Sequence, residues 1–116
     1  MCFGDSLTAG TNPNGRGGNY PYAKRLTELL GPSTEVRATG FPGWTTKQMR
    51  ESVDFPASGW GTPHDGLRLQ LKKAPYDVVV ILAGTNDLGR GLEPEEIGAN
   101  LGVLYDLCKE HNVSKV

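Results

Sequence analysis

Long apolar runs are missing from this chain. The longest, Val78 to Ala83, is far too short for a membrane-spanning helix, which needs about 20 apolar residues. An excess of one charge is missing too: 12 Lys and Arg stand against 13 Asp and Glu, a formal net charge of -1. That balance offers no electrostatic footprint for nucleic acid or an anionic membrane as partner. Cysteine is scarce. Cys2 falls in a predicted strand and Cys108 on a predicted helix face, which suits buried thiols better than a disulfide framework. Neither has a Cys or His neighbour at metal-ligand spacing, so no metal or other cofactor is expected. No signal-peptide pattern, internal repeat or low-complexity tract is visible.

What is present is enough for one domain. The 116 residues can bury a single core, with little margin. Glycine is abundant at 16 residues, and it clusters in Asn14-Gly15-Arg16-Gly17-Gly18 and Ser58-Gly59-Trp60-Gly61, between periodic segments. Those clusters read as loops.

The organising stretch is Met1 to Gly10. Three apolar residues run into Gly4-Asp5-Ser6, which would present a serine at the carboxyl end of a buried strand. Gly4 permits a sharp turn where a side chain would clash. Open α/β sheets bind ligands at that end. An ordinary turn is the competing interpretation, since Gly, Asp and Ser are common turn formers. Thr11 to Asn19 is a polar loop, either a plain surface loop or the rim of a site.

A helix is expected over Pro21–Leu30, with Tyr22, Leu26, Leu29 and Leu30 on its apolar face. Glu35 to Thr39 reads as a strand ending at Gly40. Thr45-Thr46-Lys47-Gln48 is a capping box that opens a helix to about Val53, with Gly43 just before it. Backbone N–H groups at such a position favour negative charge. Thr62-Pro63-His64-Asp65 is expected to cap a helix carrying Leu67, Leu71 and Ala74. Asp77 to Ala83 is a β-branched run without alternation, the pattern of a parallel strand buried on both faces. It leads into Gly84-Thr85-Asn86-Asp87.

Pro94 opens the longest helix, with Ile97, Leu101, Leu104, Tyr105 and Cys108 facing the core and Asn112 as a left-handed stop. Val113 to Val116 reads as the opening of another strand. The order β-α-β-α-α-β-α-β predicts a doubly wound parallel sheet. If its order is flavodoxin-like, Ser6 and Asn86 leave neighbouring strands at the switch point.

These residues suit acyl transfer. Ser6 can act as nucleophile. The N–H groups of Gly43 and Ser6 and the side-chain amide of Asn86 can donate to an oxyanion. Trp44 follows Gly43 and either lines a pocket or simply packs. Asn112-Val113-Ser114 fits a glycosylation sequon, and its place at a helix-to-strand joint favours chance.

Gly4-Asp5-Ser6-Leu7, then Gly40-Phe41-Pro42-Gly43-Trp44-Thr45, then Gly84-Thr85-Asn86-Asp87 resemble the first three sequence blocks of the GDSL, or SGNH, hydrolases. Three blocks in order are more specific than any one, and the resemblance spans Met1 to about Leu107. It implies a flavodoxin-like three-layer α/β/α fold with a parallel sheet, here with its first strand clipped and its last strands missing. Residues 1–116 would then be a partial SGNH hydrolase-type esterase domain.

The resemblance further implies ester hydrolysis through an acyl-serine intermediate, with Ser6 as nucleophile and Ser6, Gly43 and Asn86 forming the oxyanion hole. The substrate would be a small-molecule ester or acetylated carbohydrate. Lysophospholipid and thioester are equally compatible with the fold. The family draws its base from a late Asp-x-x-His block, and this chain contains none. Its two histidines are His64, near a predicted helix start, and His111, past a helix that descends from the strand tips. A non-catalytic ester- or carbohydrate-binding module is the alternative function.

Overall fold

The computed structural model describes residues 1–12, 14, 18–57 and 64–116. Trp60, the glycines around it and Thr62-Pro63 lie outside the described residues, as do Gly15, Arg16 and Gly17. Three strands, β1 (Cys2–Gly4), β2 (Ala38–Gly40) and β3 (Val80–Leu82), form a parallel sheet in the order β2-β1-β3. Gly4 is in register with Gly40 on one side and Leu82 on the other, so all three strands end level. This is the flavodoxin-like arrangement, with the first strand between the second and third.

The first crossover carries α1 (Ser6–Ala9) and α2 (Tyr22–Leu30), the second α3 (Thr46–Glu51) and α4 (Leu67–Lys73). After β3 come α5 (Thr85–Gly89) and α6 (Pro94–Glu110). Short helices α1 and α5 were not expected from the sequence. Each begins just beyond a strand, and their four and five residues are too few for hydrophobic periodicity to register.

One face of the sheet is well packed. Phe3 and Val79 meet Met49 of α3, Leu67 and Leu71 of α4, and Leu104 and Cys108 of α6 in one core cluster. Phe41, just past β2, lies edge-on to Phe3 at 5.5 Å and stacks on Trp44 at 4.4 Å. Trp44 therefore has a packing role. The α3 capping box forms as the sequence indicated: the Thr45 hydroxyl accepts the Gln48 N–H and the Gln48 side chain accepts the Thr45 N–H. Proline opens α6, and Glu95 and Glu96 occupy its first turn, where they oppose the positive end of the helix dipole.

The other face is open, and several expectations change there. Val78, Val80 and Leu82 are each at least 39% exposed, so β3 is not buried on both faces. Only the alternate residues Val79, Ile81 and Ala83 join the core. Nor do Leu29 and Leu30 of α2 face the core, since they are 66% and 48% exposed. Ala23 is the buried residue of that helix. Leu26 and Leu30 border a groove of about 570 Å³ whose other wall includes Tyr76, Val78 and Val80. At the start of α2, the Tyr22 hydroxyl lies beside the Cys2 thiol and the Thr8 hydroxyl. Burial pushes Tyr22 up to about 12.

Other boundaries shift. The expected strand Glu35–Thr39 contracts to β2, because Glu35 and Arg37 are exposed and pair with each other at 2.6 Å. Helix α4 starts at Leu67 with Gly66 as its N-cap, so His64 and Asp65 precede it. On α6, Tyr105 is 37% exposed, while Asn100 and Leu107 are buried in addition to the expected Ile97, Leu104 and Cys108. Asn112 has φ 60, the left-handed stop anticipated. Val113 to Val116 amounts to a single parallel bridge, Lys115 to Val78. Both cysteines are free and buried, and burial pushes the Cys108 thiol up to about 11. No helix among the described residues is long and apolar enough to cross a membrane.

Candidate active site

Three segments leave the level end of the sheet together. The first is Asp5-Ser6. Gly4 must be glycine because a Cβ there would lie 2.1 Å from the Leu82 carbonyl oxygen and 2.5 Å from the Thr8 hydroxyl. The Asp5 N–H donates to that same Leu82 carbonyl at 3.2 Å. Asp5 then caps α1, its carboxylate accepting the Leu7 N–H at 2.9 Å. Ser6 is the first residue of α1 and is half-buried. One turn suffices, because Gly10 ends it at φ 67. The second Asp5 carboxylate oxygen and the Thr8 hydroxyl are buried without a hydrogen-bond partner among the described residues.

The second segment is Phe41 to Thr46. The Phe41 N–H donates to the Gly4 carbonyl at 2.8 Å, which sets this loop beside the serine turn. Gly43 has φ 80, a backbone region that L side chains rarely adopt, and a Cβ there would meet nothing within 4 Å. Its glycine therefore serves the backbone conformation and leaves open space at the loop surface. The third segment is α5, with Asn86 half-buried and Asp87 buried.

The second and third segments are tied directly. The Asn86 side-chain amide donates to the Trp44 carbonyl at 2.8 Å, using one of its two protons. The Arg90 guanidinium donates to the Gly43 carbonyl at 2.9 Å. Asp87 accepts the Thr46 N–H on both carboxylate oxygens, at 3.0 and 2.9 Å, and the Thr46 hydroxyl at 2.5 Å. Asn100 of α6 donates to that hydroxyl at 3.1 Å. Ser6, Gly43 and Asn86 thus share one end of the sheet, as their strands' registers require.

Sequence reasoning missed Arg90, Asp87, Thr46 and Asn100. One signal was available: Asn100 stands three residues after Ile97 and four before Leu104, a polar side chain on an apolar stripe. Such a residue needs a buried partner.

His64 lies edge-on to the Phe41 ring at 6.2 Å. Its neighbour Asp65 is engaged elsewhere, accepting the Ala57 N–H at 2.8 Å and pairing with Lys73. Those two donors, Lys73 first, hold the Asp65 carboxyl below its ordinary value. A depressed carboxylate contributes stability above its unfolded pKa and loses it as pH falls through the folded one. Asp65→Asn is therefore expected to flatten the fall in Tm below about pH 4, read by thermal melts across that range. An unchanged acid limb contradicts the assignment.

His111 ends α6, its Nδ1 3.0 Å from the Leu107 carbonyl. Four residues later Lys115 pairs with Val78, before β3 begins, so His111 lies toward the strand starts and away from Ser6.

A parallel sheet in this order, with three polar turns gathered at its carboxyl edge, defines an α/β domain of the flavodoxin-like type. Residues 2–116 match the GDSL-like lipase/acylhydrolase family model, and the chain belongs to that family. No curated protein matches it. A solved structure of the esterase AlinE4, as an aspartate-to-alanine mutant, is similar in fold, with TM-score 0.65 and 24% identity. The match covers 98% of this chain and 54% of that one, so the chain spans about half the length of that esterase.

Proposed function

We propose that the chain carries the nucleophile and oxyanion donors of a serine carboxylic ester hydrolase. The observation that carries this is the convergence of the Ser6, Gly43 and Asn86 segments at one sheet end, in a member of a lipase/acylhydrolase family.

In this reading the Ser6 hydroxyl oxygen attacks the ester carbonyl carbon. Negative charge develops on the carbonyl oxygen and is met by the N–H groups of Ser6 and Gly43 and by the remaining Asn86 amide proton. Each donor is worth on the order of 3 kcal/mol in the transition state. The bond from the carbonyl carbon to the leaving oxygen then breaks, the proton lost by the Ser6 hydroxyl passes through water to that oxygen or to solvent, and an acyl-serine remains for water to hydrolyse. Substrates are small esters, acetylated carbohydrate among them.

The sequence holds no Asp-x-x-His block, and His111 is turned away from Ser6. We therefore propose that these 116 residues, by themselves, acylate slowly and deacylate more slowly still. An activated acetyl ester such as p-nitrophenyl acetate tests this. The expected outcome is a single acetyl group accumulating on Ser6, located by peptide mass spectrometry. Acetylation scattered over lysines, with Ser6 unmodified, overturns it.

A second reading is a module that binds esters or acetylated sugars without turnover. It requires saturable binding of such a ligand with Ser6 left unacylated.

A further inference from the structure

We infer that Asp87 is a positioning residue, which acts through Thr46 to hold the Gly43-Trp44 loop in the geometry that acyl transfer at Ser6 needs. This rests on the ester hydrolase reading above and adds to it a residue that touches neither nucleophile nor substrate.

Three residues of the loop are fastened to α5 and the residue following it. Gly43 offers its carbonyl to Arg90, Trp44 its carbonyl to Asn86, and Thr46 both its N–H and its hydroxyl to Asp87. The first two ties are made by exposed or half-buried side chains. The third is different. Asp87 and Thr46 are 0% exposed and Asn100 1%. Charge-assisted hydrogen bonds shielded from water are the strong ones, and breaking one leaves a buried group unpaired.

The Thr46 hydroxyl also has only one useful orientation. It must point its proton at Asp87, because Asn100 donates to its oxygen. Helices α3, α5 and α6 are thereby locked to one another through a single threonine. Gly43 lies three residues before Thr46, at φ 80 with open space around its α-carbon. Side-chain packing around Gly43 does not fix that peptide. Its orientation is held by the bond from the Trp44 N–H to the Phe41 carbonyl across the turn and by the ties to α5, of which Asp87 supplies the buried anchor. A misplacement of about 1 Å in a donor can cost on the order of 100-fold in rate.

The test uses the full 116-residue chain and two readouts. The first is amide hydrogen exchange at Trp44, whose N–H donates to the Phe41 carbonyl at 3.1 Å within the loop, followed by NMR. The second is Ser6 acetylation by p-nitrophenyl acetate across ester concentrations. Asp87→Asn puts an amide N–H against the Thr46 N–H. It is expected to speed exchange at Trp44 at least tenfold and to lower the maximal acetylation rate about 100-fold. The half-saturating ester concentration should move less than threefold.

Thr46→Ser keeps both donors and is expected to stay near wild type. Thr39→Val removes a different inter-element bond, that to Gln70, and is expected to leave both readouts unchanged. If Asp87→Asn does not fold, Thr46→Val, which deletes only the hydroxyl, serves instead, with about a tenfold effect on each readout.

Unchanged Trp44 exchange in a folded Asp87→Asn or Thr46→Val chain overturns the inference, and so does an equal loss in Thr39→Val. A wild-type chain that never acylates Ser6 overturns the ester hydrolase reading separately, while the exchange measurement still decides whether Asp87 holds the loop.

Discussion

Ser6→Ala is expected to abolish acetyl transfer to this position outright. Its effect on turnover depends on what else the polypeptide holds. In a polypeptide that joins these residues to an Asp-x-x-His block, loss of the nucleophile should lower turnover on the order of a million-fold, as it does in a serine protease. In the 116-residue chain the fall should be far smaller.

The reason is non-additivity. A nucleophile and its base act as a unit, so removing the second after the first costs little, and what remains comes from oxyanion donors and binding. Assays of p-nitrophenyl acetate hydrolysis on both polypeptides, each with and without Ser6, separate the two regimes. Equal turnover in the longer polypeptide with and without the hydroxyl would sink the assignment of Ser6 as nucleophile.

How much of this was legible in the sequence depends on the range over which each feature is encoded. The placing of three turns at strand ends was readable, because Gly4, Gly40 and Gly84 each end an apolar or β-branched stretch, whereas the sheet order followed only from the family resemblance. The Thr45 capping box was readable because all its partners lie within four residues. The open face of β3 was not. A run such as Val78 to Ala83 encodes the capacity to be buried, whereas which side is covered depends on what packs there. Helix α2 reaches Cys2 and leaves a groove in front of Val78 and Val80.

The start of α4 was misplaced because Pro63 and Asp65 suit a helix N-terminus by local rules. Asp65 instead spends its carboxylate on Ala57 and Lys73. The Asp87–Thr46–Asn100 link joins residues 41 and 54 positions apart, and no local rule predicts such a pairing.

Gly4→Ala is expected to have the largest effect on folding. The added methyl carbon would sit 2.1 Å from the Leu82 carbonyl oxygen and 2.9 Å from its carbon, both backbone atoms. It would also sit 2.5 Å from the Thr8 hydroxyl, in a helix capped by Asp5. Real carbon centres do not approach so closely, and a side-chain rotation relieves only the Thr8 contact.

The Leu82 clash can be relieved only by moving β3 off β1 or by turning the Gly4-Asp5 peptide. The first breaks the pairing of Gly4 with Leu82, and the second breaks the bond from the Asp5 N–H to the Leu82 carbonyl. Overpacking of a well-filled site costs about 1–3 kcal/mol where side chains can yield. Here backbone must yield, so the cost lies at or above the top of that range. Native stability for a domain of this size is only about 5–15 kcal/mol. With roughly 4 °C of Tm per kcal/mol, Gly4→Ala should melt at least about 10 °C below wild type, or fail to fold cooperatively.

The same displacement reaches the site. The Gly4 carbonyl anchors the Phe41 N–H, and Ser6 follows two residues later. Any Gly4→Ala chain that remains folded should therefore acylate Ser6 more slowly. Thermal denaturation by circular dichroism, paired with the acetylation assay, reads both. A Tm within 2 to 3 °C of wild type, roughly the size of a surface substitution's effect, would mean that the approach of Gly4 to Leu82 is looser than the strand register implies.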